Sequence, residues 1–277
     1  MDPHDYCQQK AAQSGSSFYY SFLFLPDDRR RAITALYAYC REVDDVVDDC
    51  KEMSVARAKL AWWSDEVGRI YRGGAQHPVA RALADVVPAY GVTEDELREI
   101  VAGMFMDLDH HRYADYAGLK HYCHHVAGVV GILSAKIFGY EAPQTLEYAA
   151  ELGLAFQLTN IIRDVGEDAR RNRIYLPLDE LAQYGVSEAD ILAARETDNF
   201  QRLMKYQIER ARGTYDAAFA RLPRADRKAQ RPGIVMAAIY RTLLNEIEAD
   251  GCRVLTRRTA LTPVRKLWIA WKTWVRG

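Results

Sequence analysis

The sequence predicts an all-α fold. Apolar residues recur with helical spacing in one window after another, and no apolar/polar alternation bounded by hairpin turns is present. The helix-length windows are 28–50, 54–72, 78–89, 94–109, 116–139, 145–167, 198–221, 227–250 and 263–275. Pro26-Asp27 opens the first and Gly73-Gly74 closes the second. Thr93 with Glu96 is spaced as a capping box, in which hydroxyl and carboxylate each satisfy a free backbone N–H, and Pro143 precedes a fresh start. The longest irregular run, 169–177, follows an acidic helix end, and its arginines could fold over an anion. Linkers are short and no repeat of fixed period is present. A single helical bundle over 1–262 is the economical organisation, with a basic amphipathic tail over 263–277.

The bulk numbers narrow the function classes. The chain has 277 residues, 49% of them hydrophobic, enough for a sizeable core. A net charge of −1 gives no argument for nucleic acid as a partner, so any anion must be held by a local arrangement. Cys7, Cys40, Cys50, Cys123 and Cys252 are scattered and odd in number, which argues against a disulfide framework or zinc site and fits a reducing cytoplasm. The N-terminus, with Asp2 and Asp5, lacks the apolar stretch of a signal peptide, and no run is long enough to span a bilayer.

Two acidic helices carry the functional signal. Within 37–49, Tyr37, Arg41, Asp44 and Asp48 fall on one narrow helical face, with Asp45 and Asp49 at its edge. Within 157–168, Gln157, Asn160, Asp164 and Asp168 likewise share a face. Like charges at i, i+4 cost a helix roughly 0.2–0.5 kcal/mol per pair, and acids late in a helix oppose its dipole. Both helices are otherwise apolar enough to be central, and buried carboxylates without cations cost far more. A hard cation resolves the conflict, because magnesium takes one or two carboxylates and completes its shell with water and phosphate oxygens. Either run alone reads equally well as a solvated acidic face; the repeated spacing favours a diphosphate clamp.

Tyr37-Ala-Tyr-Cys-Arg41 with Asp44-Asp-Val-Val-Asp48 resembles the first aspartate-rich motif of the squalene and phytoene synthase family. Gln157 to Asp168, running on to Pro177, resembles the second, and Tyr122-Cys-His-His-Val-Ala-Gly-Val-Val-Gly131 resembles a third family segment. Among subfamilies the chain is most similar to bacterial presqualene diphosphate synthases of the hopanoid pathway. The residues that carry this are Ser14 to Phe22, Arg41 to Asp48, and Pro263 to Trp271.

The resemblance implies an isoprenoid synthase-type bundle with a central apolar cavity. It implies head-to-head condensation of two farnesyl diphosphates to presqualene diphosphate, with Mg2+ (or Mn2+) and without NADPH. Asp44, Asp48, Asp164 and Asp168 would hold metal. Arg41, Arg171 and Arg173 would hold diphosphate oxygens, with Arg257 near one diphosphate. Ser17, Tyr37, Gln157, Asn160 and Tyr240 would line the two substrate sites. Phe18 and Phe22, with Tyr37, are candidates for shielding a cation with aromatic faces. Some relatives place a tyrosine at His125; Tyr122, one turn earlier, could take over its acid–base role. Phytoene, dehydrosqualene or NADPH-dependent squalene synthesis are the alternatives within the family. A lipid-diphosphate carrier is the non-catalytic alternative.

Five of seven histidines lie between His110 and His125, and His121 with His124 or His125 has metal-ligand spacing, beside Asp107 and Asp109. This supports a rival reading as a metal-dependent hydrolase, against which stands the lack of an HExxH signature. In the tail, Val264, Leu267, Trp268, Trp271, Trp274 and Val275 share one face amid Arg265, Lys266, Lys272 and Arg276, as suits the inner surface of a membrane. The alternative is a tail packed on its own core. Pathway enzymes acting on the product are further expected partners. Trp62-Trp63 reads as packing, Gly128 and Gly131 as close helix approach, and Arg29-Arg30-Arg31 as a solvated helix start.

Overall fold

The computed structural model describes residues 1–13, 17–22, 24–50 and 52–276. Ser14, Gly15 and Ser16, part of one segment that carries the subfamily resemblance, lie outside the described residues, as does the side chain of Ser17. The elements are helices throughout: α1 (Pro3–Gln13), α2 (Ser17–Phe22), α3 (Asp27–Asp49), α4 (Met53–Arg72), α5 (Pro78–Tyr90), α6 (Glu94–Asp109) and α7 (Tyr116–Cys123). After a π-helical turn at His124–Gly128 come α8 (Val129–Phe138), α9 (Gln144–Arg170), α10 (Leu178–Tyr184), α11 (Glu188–Leu192), α12 (Asp198–Arg221), α13 (Arg231–Ala249) and α14 (Pro263–Arg276). Among the described residues the sole β pairing is one bridge, Arg112 to Ile174.

Several starts and stops are those the sequence chemistry specifies. Thr93 and Glu96 form the full capping box of α6. Gly91 ends α5 at φ 61°, a left-handed position that favours glycine. The window at 227–250 begins four residues late, at Arg231, because the turn before it is occupied by Asp226, and Pro232 suits a first helical turn. Asp226, 1% exposed, accepts the backbone N–H groups of Glu141 (2.8 Å) and Ala142 (3.1 Å) and the hydroxyl of Thr145. A carboxylate from a distant turn thus ties down the two residues before the Pro143 cap and the Thr145 hydroxyl in the first turn of α9, near the positive end of its dipole.

Two apolar clusters make the core. One gathers α1 and α3 to α6 with part of α8; the other gathers α7 and α9 to α13. Phe18 and Val126 pack against both, which places them at the seam. Glycines let α9 come close to its neighbours: a Cβ at Gly131 would lie 2.1 Å from the Ala149 carbonyl, and one at Gly153 2.2 Å from the Ala127 carbonyl. The tail is not detached. Ala270 of α14 is fully buried in the second cluster, and Ile269 and Trp274 pack against it.

Candidate active site at the seam

The seam holds a cavity of about 220 Å³. Its apolar walls include Phe18, Phe22, Leu36, Phe138, Leu152 and Phe156. On α9 the lining runs from Tyr148 to Asn160, a rise of about 18 Å at 1.5 Å per residue. Polar residues cluster at one end, where Tyr37, Arg41 and Asp44 of α3 meet Gln157 and Asn160 of α9. Gly131 and Gly153 also line this length, where α9 meets α8 and the π turn backbone to backbone. The aromatic lining is continuous, with Phe18 5.7 Å from Tyr37 and 6.3 Å from Phe156 between ring centres.

The acidic ends of α3 and α9 face one another. Arg173, from the loop after α9, reaches Asp48 at 3.1 Å and Asp107 of α6 at 3.3 Å, and Arg171 reaches Asp48 at 2.7 Å. The loop itself is held by the hydrogen bonds of the Ile174 N–H to the His111 carbonyl and the Leu178 N–H to the Tyr113 carbonyl. Burial, joined by repulsion from Asp164, Asp107 and Asp48, pushes Asp168 up to about 8 against the pull of Arg173. Asp44 rises to about 7: burial is the chief cause, Arg41 opposes it, and Asp48 and Asp107 add to it. Asp164 moves the other way. Burial disfavours its charge, but Arg163 (2.8 and 2.5 Å) and Arg258 (2.7 Å) donate to it and keep it ionised.

These carboxylates fit a divalent cation chemically. They are oxygen donors crowded enough that protonation of Asp44 and Asp168 is favoured, and a cation would relieve the same repulsion. Among the described residues no three acidic, His or Cys side chains are gathered into a ready cluster. Magnesium does not need one, since one or two carboxylates and phosphate oxygens suffice. The histidine run is no such cluster either: His121 and His125 rings lie edge to face at 4.7 Å, and His125 Nδ1 is 3.0 Å from the His121 carbonyl.

A second, polar chamber of about 430 Å³ adjoins the cavity and shares Phe18, Tyr37, Arg41 and Asn160 with it. Arg163, Tyr240, Arg258, Thr259 and Lys266 complete its polar lining, and no carboxylate is among the lining residues. The chamber is therefore suited to an anion. Arg41 also donates to Asp44 at 2.6 Å and to Asp45 at 2.5 Å, so it links the acidic mouth to this chamber.

The arrangement brings together most of the residues named from the sequence. Phe18, Phe22, Tyr37, Arg41, Asp44, Tyr122, Gln157 and Asn160 line the cavity, and Tyr240 lines the chamber. Asp48, Asp164, Asp168, Arg171 and Arg173 join the charge network at its mouth. Arg257 requires correction: it pairs with Asp250 at 3.2 Å and lines neither space, while the next residue, Arg258, binds Asp164 and lines the chamber. The strap there is irregular, so helical phase gives no guide to which arginine turns inward.

Residues that helical spacing does not reveal are Asp107, Arg163, Tyr175, Arg258 and Lys266. Asp107 is 6% exposed and accepts from Tyr175 and Tyr122 as well as Arg173. The rings of Tyr113, Tyr122 and Tyr175 pack at 5.4 to 6.0 Å, which fixes Tyr122 in the cavity wall. Arg163 sits about 100° around α9 from Asp164, outside the acidic face, but its long side chain reaches back. Its adjacency to Asp164 is the one signal the sequence offers.

The Squalene/phytoene synthase family model matches residues 11–265. The chain belongs to that family. It is 39% identical over 272 residues to "Phytoene synthase 2, chloroplastic" of Solanum lycopersicum, covering 96% of this chain and 88% of that one. It is 34% identical to the 15-cis-phytoene synthase of Synechocystis, over all of this chain and 86% of that one. Among solved structures, a dehydrosqualene synthase in complex with ligand superposes with a TM-score of 0.87 at 25% identity, covering 99% of this chain and 96% of that one. Squalene synthase HpnC from Alicyclobacillus acidocaldarius gives 0.81 at 26%, covering 90% and 94%. The fold is thus the isoprenoid synthase-type bundle, and the activity class is head-to-head condensation of prenyl diphosphates by a prenyltransferase.

Proposed function

We propose that this enzyme condenses two farnesyl diphosphates to presqualene diphosphate, releasing one diphosphate, and that it does so with magnesium and without a nicotinamide. The observation that carries this reading is the pairing of two unlike anion sites on one aromatic-walled cavity. The acidic mouth, with Asp44, Asp48, Asp164 and Asp168, suits a diphosphate accompanied by cations. The basic chamber, with Arg41, Arg163, Arg258 and Lys266, suits a diphosphate that is kept. The likeness of several segments to presqualene diphosphate synthases supports the choice of product.

Bound at these carboxylates, magnesium would supply Lewis-acid neutralisation of the departing diphosphate. The chain's own groups do the rest. Arg171 and Arg173 stand beside Asp48 and can receive phosphate oxygens as the C1–O bond breaks and its electron pair leaves with the diphosphate. Phe18, Tyr37 and Phe156 shield the resulting allylic cation from water and face it with π density. Gln157 and Asn160 fix the second substrate so that its 2,3 double bond attacks C1, and loss of one proton closes the cyclopropane. Tyr122 is held by Asp107 at the cavity wall, where its hydroxyl can orient that proton transfer.

The chloroplast and cyanobacterial phytoene synthases favour a second reading, condensation of geranylgeranyl diphosphate to phytoene. Offering farnesyl and geranylgeranyl diphosphates in equal amounts, with and without NADPH, and identifying products by mass spectrometry separates the two. Presqualene diphosphate is expected in both cases. Phytoene would replace this proposal by the second reading, and squalene formed with NADPH would refute the non-reducing claim. Binding without turnover would indicate a carrier.

A further inference from the structure

We propose that α14 docks flat on an anionic bilayer through an exposed tryptophan-bearing stripe, bringing the substrate chamber to the lipid surface. On a helix of 3.6 residues per turn, Val264, Leu267, Trp268, Trp271 and Val275 fall within about 100°. All five point outward: Val264 is 77% exposed, Val275 64%, Trp268 58%, Trp271 50% and Leu267 43%. Trp268 and Trp271 stack on one another in solvent at 5.1 Å. Ala270, about 110° around the helix from the middle of the stripe, seats α14 on the body, so the stripe is presented sideways, as a helix lying in a membrane plane requires.

Charge decides between a lipid surface and a second copy of the chain. Residues 263–276 contain Arg265, Lys266, Lys272 and Arg276 and no acid, in a chain whose net charge is −1. Arg265 and Lys272 lie along one edge of the stripe, seven residues apart; Arg265 pairs with Glu246 of α13 at 2.5 Å, so the positive charge of that edge rests on Lys272. A two-fold pairing of this face would bring the Lys272 edges of two copies together with no acid on α14 to neutralise them. Anionic headgroups complement that edge, and tryptophan suits the boundary between headgroup and acyl chain.

The docked helix is also a wall of the active site. Lys266 extends from α14 into the basic chamber, and Phe18 of the adjoining α2 lines both chamber and cavity. Taken with the proposed prenyl diphosphate chemistry, on which this step rests, the placement lets an apolar tail pass between bilayer and cavity while its diphosphate meets the chamber arginines.

Co-sedimentation of the full chain with vesicles of phosphatidylcholine alone, or mixed with phosphatidylglycerol, tests the docking against a W268S/W271S variant. The parent should bind the mixed vesicles at least about tenfold more tightly than neutral ones, and the variant should lose about tenfold or more. The variant should keep the parent's turnover of detergent-dispersed farnesyl diphosphate, since neither tryptophan lines the cavity or chamber. Equal binding by parent and variant, or no vesicle binding by the parent, would overturn the proposal. So would a concentration-dependent dimer abolished by the variant, which would assign the stripe to a second copy. An inactive parent that still bound mixed vesicles would sink the proposed reaction and leave the docking intact.

Discussion

Asp168→Asn should make the metal-free protein more stable and the enzyme inactive. Asp168 sits among Asp164, Asp107 and Asp48, and the folded state pushes its carboxyl from an ordinary value of 3.8 up to about 8. Because the folded pKa lies above the unfolded one, the folded state binds more protons between those values, and stability falls as pH rises from about 4 to 8. A tenfold change in proton affinity corresponds to about 1.4 kcal/mol, but Asp168 is only partly buried, and solvent and Arg173 screen the repulsion, so about 1–3 kcal/mol is expected at pH 8. Asparagine keeps the shape and removes the charge. Urea denaturation with EDTA should show the variant more stable than the parent at pH 8, with the gap closing toward pH 4. Magnesium-dependent turnover should drop at least about 100-fold, the scale seen when a group stabilising transition-state charge is lost. A variant less stable than the parent at pH 8, or one with retained turnover, would refute the reasoning.

Asp226→Ala removes the acceptor of two partly buried backbone N–H groups and one buried hydroxyl at the start of α9, which should cost about 2–4 kcal/mol at pH 7 by urea denaturation. Burial disfavours the Asp226 charge, but the hydrogen bonds from Thr145, Glu141 and Ala142 outweigh it and hold the carboxyl below its usual range, so the pH-linked part of this contribution is fully present above about pH 4 and fades as pH falls through the folded pKa. Gly153→Ala drives a Cβ into the Ala127 carbonyl and should cost about 1–3 kcal/mol, read as a lower melting temperature, and the forced shift of α9 against the π turn, both of which line the cavity, should raise KM.

Much of this site is legible in the sequence because it lies on long helices. The phase rule that groups Asp44 with Asp48 and Asp164 with Asp168 needs only a continuous 3.6-residue repeat, and α3 and α9 supply it over 23 and 27 residues. The rule fails where regularity does. The window 116–139 reads as one helix, but the π turn at His124–Gly128 changes the phase between Tyr122 and the glycines of α8. Helix α1 escapes the periodic reading because it buries little more than Cys7 and Ala11, too few apolar positions for a signal. Helices α10 and α11, of 7 and 5 residues, are too short to show a period. Asp107 carries no motif: its role comes from tertiary placement beside Arg173 and Tyr175, which no local pattern encodes.

The most direct test is diphosphate release from farnesyl diphosphate by the parent, Asp44→Asn and Asp164→Asn proteins, with magnesium added or chelated. Release by the parent only with magnesium, and loss in both variants with unchanged helical circular dichroism, is the expected result. Release that survives in either variant would contradict a reaction centred between α3 and α9.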